Sequence, residues 1–153
     1  MAAESPSTPP NGRGFDQCQF VREFIENMPV TAELGIALAE LTPGHAKVSL
    51  TVERRHTIDG SLVQAGITAT LADFAAVAAA ATGLPDGWLV ATTGFSVSHL
   101  ASAKGDRLIA EGRSGRSGKR NLVATADVYV EDAGERHHCL TGIFAATGLP
   151  PPE

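Results

Sequence analysis

Residues 64–82 read QAGITATLADFAAVAAAAT, eighteen uncharged residues around one carboxylate, Asp73. Ala, Leu, Ile and Phe without an interior proline form a helix readily, because alanine loses no side-chain freedom there and straight chains lose little. The stretch therefore predicts a helix of about five turns, stopped by Gly83, Leu84 and Pro85. Ile67, Leu71, Phe74 and Ala78 recur at offsets of four, three and four, a stripe expected to pack on a sheet. Asp73 lies off that stripe among Ala69, Thr70, Ala76 and Val77, mostly small residues that would let a second subunit approach. A helix apolar nearly all round is buried, and an unpaired carboxylate there is costly. Two readings of Asp73 follow: an acid at the solvent rim or tied to a neighbouring hydroxyl, or a base or nucleophile held in a dry cleft.

Outward from this helix the chain alternates in type. Phe20, Val21, Phe24, Ile25 and Met28 predict an amphipathic helix over 16–28 that closes at Pro29 and caps the core. The runs 35–41 and 45–52, joined by Thr42, Pro43 and Gly44, predict a hairpin, and 53–62 a polar connection. Beyond the long helix, 88–99, 106–113, 121–130 and 137–147 read as four strands. In 121–130, Leu122, Ala124, Ala126, Val128 and Val130 alternate with Val123, Thr125, Asp127 and Tyr129. Helix, two strands, long helix, four strands is the order of an α+β domain in which one antiparallel sheet wraps a buried helix.

At 153 residues the chain fits one domain, with a disordered tail over 1–14, the domain over 15–148 and a short tail over 149–153. The leading residues carry Pro, Ser and Gly and no apolar run, unlike a signal peptide. No stretch resembles a membrane span, so no membrane partner and a cytoplasmic location are expected. A net charge of −5 argues against general nucleic-acid binding. Cys18 and Cys139 lie far apart without metal spacing, so free thiols and no metal site are expected, even with His137 and His138 beside Cys139.

One local cluster departs from the acidic average. Gly112, Gly115 and Gly118 recur among Arg113, Ser114, Arg116, Ser117, Lys119 and Arg120. A hairpin loop of permissive glycines and solvated charge is one reading; a seat for phosphates is the other. His56 and His99 are candidates for a site imidazole, against simple exposure of His56 and ordinary half-burial of His99. Ser96 and Ser98 lack the Gly-x-Ser-x-Gly elbow of a serine hydrolase.

Three segments together carry a family resemblance: LGIALAELTPGHAKVSLTVERRH (34–56), QAGITATLAD (64–73) and GFSVSHLASAKGDRLIAEGRSGRSGKR (94–120). The chain resembles, from about Leu34 to Thr147, the hotdog-fold acyl-CoA thioesterases, in the branch that includes phenylacetate-pathway and 4-hydroxybenzoyl-CoA thioesterases. The resemblance implies a curved sheet around one long helix, a homodimer at minimum and a homotetramer as dimer of dimers. It implies hydrolysis of an acyl-CoA, with coenzyme A part of the substrate and no separate cofactor. Asp73 falls on the family's catalytic acid, as general base or nucleophile. Gln64 stands where the family has the histidine of its HGG motif and Ala65 where it has the first glycine. Gln64 would position the acyl carbonyl, and the N–H groups of Ala65 and Gly66, at a helix start, would receive an oxyanion. Arg113, Arg116, Lys119 and Arg120 would seat the coenzyme A phosphates. The family's asparagine upstream has no match near Ile58 and Asp59, and Val77 stands where some members carry a hydroxyl. These departures imply a second outcome, a hotdog module that binds an acyl ligand without hydrolysis. Phe74, Val77, Trp88 and Phe95 permit an aromatic or medium-chain acyl pocket.

Overall fold

The structure, a computed structural model, describes residues 14–153; the expected tail over 1–14 lies, but for Gly14, outside them. Helices α1 (Gln17–Glu26) and α2 (Pro29–Leu34) precede strands β1 (Ile36–Thr42) and β2 (His45–Thr51). A turn of 3-10 helix (Arg54–His56) leads to the long helix α3 (Ala65–Ala81). Strands β3 (Leu89–His99), β4 (Arg107–Ser117), β5 (Leu122–Asp132) and β6 (Glu135–Leu149) complete the chain. The helix expected over 16–28 is α1, and an unexpected second short helix, α2, follows it. Asp16 caps α1 by accepting from the Gln19 N–H at 3.0 Å. Pro29, expected to close a helix, opens the next one, where its missing N–H has no role. Gly35, expected in the first strand, ends α2 with φ 73°.

All six strands lie in one antiparallel sheet in the order β1-β2-β4-β5-β6-β3. The alternation expected in β5 is observed: Leu122, Ala124, Ala126, Val128 and Val130 are buried on the helix side. Helix α3 crosses this face, packing chiefly on β4 and β5 and then on β2 and β6. This is the hotdog fold, a single sheet around one central helix.

The face that α3 presents to the sheet differs from the predicted stripe. Thr68, Leu71, Ala72, Ala75 and Ala79 are buried, while Ile67 and Phe74 are only half-buried. Small side chains win this face because the helix lies almost on the strand backbone. A Cβ on Gly112 in β4 would collide with the carbonyl of Ala75. The three periodic glycines are thus not one loop: Gly112 and Gly115 belong to β4, and Gly118 donates to the Asn121 carbonyl at the hairpin tip.

The two sheet edges are unlike. Beside β1 lies α1, whose Arg22 guanidinium donates to the Leu38 carbonyl at 2.9 Å. On β3 one row of backbone groups is open along the strand, and Phe95, stacked on Phe144 at 5.4 Å, is still 54% exposed.

Candidate active site

Asp73 is half-buried on the side of α3 that faces α1 and β3. Its Oδ1 accepts from the Thr92 hydroxyl at 2.8 Å, and it has no ion-pair partner among the described residues. Burial lifts the carboxyl above the usual carboxylate range, and the Thr92 bond draws it part of the way back. The acid is tied to a hydroxyl, and it borders a cavity of about 160 Å³ between α1, α3 and β3. Of its expected small neighbours, Ala76 is wholly buried inside the chain and Val77 lines this cavity.

Gln64, Ala65 and Gly66 form the start of α3 and are exposed. Gln64 is the N-cap, its side-chain Oε1 accepting from the Ile67 N–H at 3.2 Å. The side chain folds so closely over the first turn that a Cβ on Gly66 would lie 2.7 Å from Oε1. The N–H groups of Ala65 and Gly66 have no acceptor among the described residues and mark the positive end of the helix. Gln64 and Ala65 line a cleft of about 470 Å³ together with His99, Leu100 and Cys139. Burial pushes the Cys139 thiol up to about 11, and it donates to the Val128 carbonyl at 3.4 Å, so it is no nucleophile.

The residues expected to act together are not all joined within one chain. Nine residues at a rise of 1.5 Å put Asp73 about 13 Å along the axis from Gln64. Arg113 lines a groove with Glu40, His45, Lys47 and Glu111. Arg116, Lys119 and Arg120 are exposed around the β4–β5 hairpin tip, which meets the end of β6 where the Gly148 N–H donates to the Lys119 carbonyl. None of the four cations forms a salt bridge among the described residues.

His56 is a correction to the expected exposure: it is 1% exposed. Its Nδ1 accepts from the Glu53 N–H at 2.9 Å and its Nε2 donates to the Leu34 carbonyl at 2.8 Å. Both nitrogens are committed, so it supplies no site imidazole. His56→Ala is expected to cost about 2–4 kcal/mol in a urea titration, from lost packing and two stranded backbone groups.

Of the suggested pocket residues, Phe74 and Val77 line the cavity beside Asp73. Trp88 and Phe95 do not; Trp88 lies against Gly148. The sequence reading missed Thr92, and with it the part played by Phe24 of α1 and Met28, the N-cap of α2. A lone threonine in a strand carries no signal, and the apolar stripe of α1 reads equally as core. Among the described residues no three His, Cys, Asp or Glu side chains gather as a metal site, and no helix is long and apolar enough to cross a membrane.

Residues 61–136, from the loop before α3 into β6, match the family model described as the thioesterase superfamily. No curated protein matches the sequence. Among solved structures, a thioesterase family protein from Silicibacter pomeroyi is 29% identical, with a TM-score of 0.84 over 90% of this chain and 100% of that one. A thioesterase from Haemophilus influenzae shares the fold at 16% identity, TM-score 0.77, over 91% of this chain and 96% of its own. So does a phenylacetic acid degradation-related protein from Ralstonia eutropha, at 17% identity and TM-score 0.69, over 82% and 97%. With the sheet, the central helix and the family model in agreement, the chain belongs to the thioesterase superfamily.

Proposed function

We propose that this protein hydrolyses the thioester of a coenzyme A conjugate, with Asp73 as the reactive carboxylate. The observation that carries this reading is the half-buried Asp73, held by one hydroxyl at the mouth of an otherwise apolar cavity, with its pKa raised. Such a carboxylate can take a proton from attacking water, or attack the thioester carbonyl itself. The oxyanion that develops needs donors, and the N–H groups of Ala65 and Gly66 supply two. Since those donors lie about 11–12 Å from Asp73 along one helix, the complete site takes its acid from one subunit and its helix mouth from another. The open edge of β3 supports a homodimer, because an unpaired eleven-residue edge is a template for a second strand. An antiparallel copy joined there runs in the opposite direction and carries its helix mouth toward this chain's Asp73.

Arg116, Lys119 and Arg120, exposed and free of salt bridges among the described residues, would hold the phosphates. The test is release of free thiol from a panel of acyl-CoAs by the purified protein; no release from any of them sinks the proposal. Arg116→Glu/Arg120→Glu is expected to raise KM for acyl-CoA roughly tenfold, about 1.4 kcal/mol. The same change should leave KM for the phosphate-free pantetheine thioester unmoved.

One observation favours a second reading, a binding module without hydrolysis. The Gln64 side chain is folded back over its own helix start, its amide oxygen capping the Ile67 N–H, rather than extended to bring its amide N–H donors to a carbonyl. Calorimetry with a thioether analogue of acyl-CoA separates the two: tight binding with no hydrolysis of the matching thioester selects the module.

A further inference from the structure

The cavity beside Asp73 has a size and a polarity, and both constrain what enters it. Resting on the thioesterase reading, we infer that the site selects an acyl group no larger than a single ring or an aliphatic of equal volume, with no polar substituent at its far end. Along α3 the lining runs from Asp73 to Ala81, eight residues or about 12 Å. Thr92 bonds Asp73 at one end of that run. Among the described residues that line it, Asp73 and Thr92 carry the only polar side chains, and the others include Val21, Phe24, Ile25, Met28, Phe74 and Val77. A thioester carbonyl belongs at the polar end and the acyl body at the other.

The volume is about 160 Å³. A dry protein cavity of roughly 150 Å³ lined by leucine, isoleucine and phenylalanine takes up one benzene. A long aliphatic tail would have to run out of the cavity into water or displace α1, and α1 is held firmly. Buried Gln17 donates to the carbonyls of Ala81 at 3.2 Å and Trp88 at 2.9 Å and accepts from the Gly87 N–H at 3.0 Å. Those bonds also hold its amide away from any ligand hydroxyl. A hydroxyl carried to the far end of the cavity would lose its water and find no side-chain partner, an unfavourable transfer.

The test is kcat/KM for butanoyl-, hexanoyl-, decanoyl-, hexadecanoyl-, phenylacetyl- and 4-hydroxyphenylacetyl-CoA. Hexanoyl or phenylacetyl should exceed hexadecanoyl, and phenylacetyl should exceed its hydroxylated counterpart, each by at least about tenfold; their mutual ratio tells ring from chain. Phe24→Ala should move the optimum toward decanoyl, and Val77→Phe should move it toward butanoyl. Equal or faster turnover of the hexadecanoyl or hydroxylated substrate overturns the inference while leaving thioester hydrolysis intact. If no thioester is cleaved, the hydrolytic reading fails and the cavity is tested alone by ligand-detected NMR with benzene. Saturable binding lost in Val77→Phe supports an apolar one-ring site, and no binding to the unaltered protein overturns it.

Discussion

Asp73→Asn is expected to lower kcat on any acyl-CoA the protein cleaves by roughly a thousandfold or more, in line with removal of a base or nucleophile, while leaving the folded protein intact. The two effects separate because the carboxylate does not support folding. Burial raises its pKa in the folded state, so the folded chain holds this proton more tightly than the unfolded one. Stability from this group is present below the unfolded value and declines as pH rises toward the raised folded value. At neutral pH the ionised acid therefore works against the fold, and an amide, still able to accept from Thr92, relieves that cost. Thermal melts should place D73N at or above the parent at pH 7. A variant that loses activity and melts early would show that Asp73 is structural.

The same electrostatics shape the pH profile. Activity that needs the carboxylate rises with pH through the raised pKa, so the acid limb should lie above the ordinary aspartate range. The Thr92 hydroxyl stabilises the charged form. Thr92→Val removes that bond and should carry the limb to still higher pH, with the plateau reached later. An unmoved limb would mean that another group titrates.

Gly112→Val should be the most damaging substitution for the fold, at about 4 kcal/mol or more of lost stability. Its φ lies outside the left-handed region, so backbone strain is not the cause. A side chain at this point of β4 meets the peptide unit between Ala75 and Ala76 of α3, and backbone cannot rotate aside as a flexible side chain can. The helix would have to rise from the sheet, uncovering Leu71, Ala72, Ala75 and Ala79, each now 0–1% exposed. Gly118→Ala is the control: a Cβ there finds only the Asn121 carbonyl at an ordinary 3.8 Å and should change stability by less than about 0.5 kcal/mol. Equal urea midpoints for the two variants would refute the close crossing.

The long helix, the hairpin before it and the four strands after it are legible from residue order because each rests on local chemistry. Alanine-rich propensity, the period of two in 121–130 and turn residues at the joints act within a few residues. Pro29 shows where that reasoning reaches its limit, since the same residue can end one helix or begin another and neighbouring packing chooses. Thr31, whose hydroxyl donates to the Ile25 carbonyl at 2.7 Å, helps fix the second outcome.

For the site, the sequence by itself determined that one acid lies in an apolar helix and that the mouth of that helix carries free N–H groups, because both follow from the composition and start of a single segment. Tertiary structure decided the rest. It set Thr92 against Asp73 across nineteen residues, withdrew His56 into two backbone bonds, and left a cavity between α1 and α3 where periodicity alone read solid core. The reason is physical: periodicity states which face of an element leaves water, whereas the partner that face meets, and any space left between them, depend on distant segments packed together.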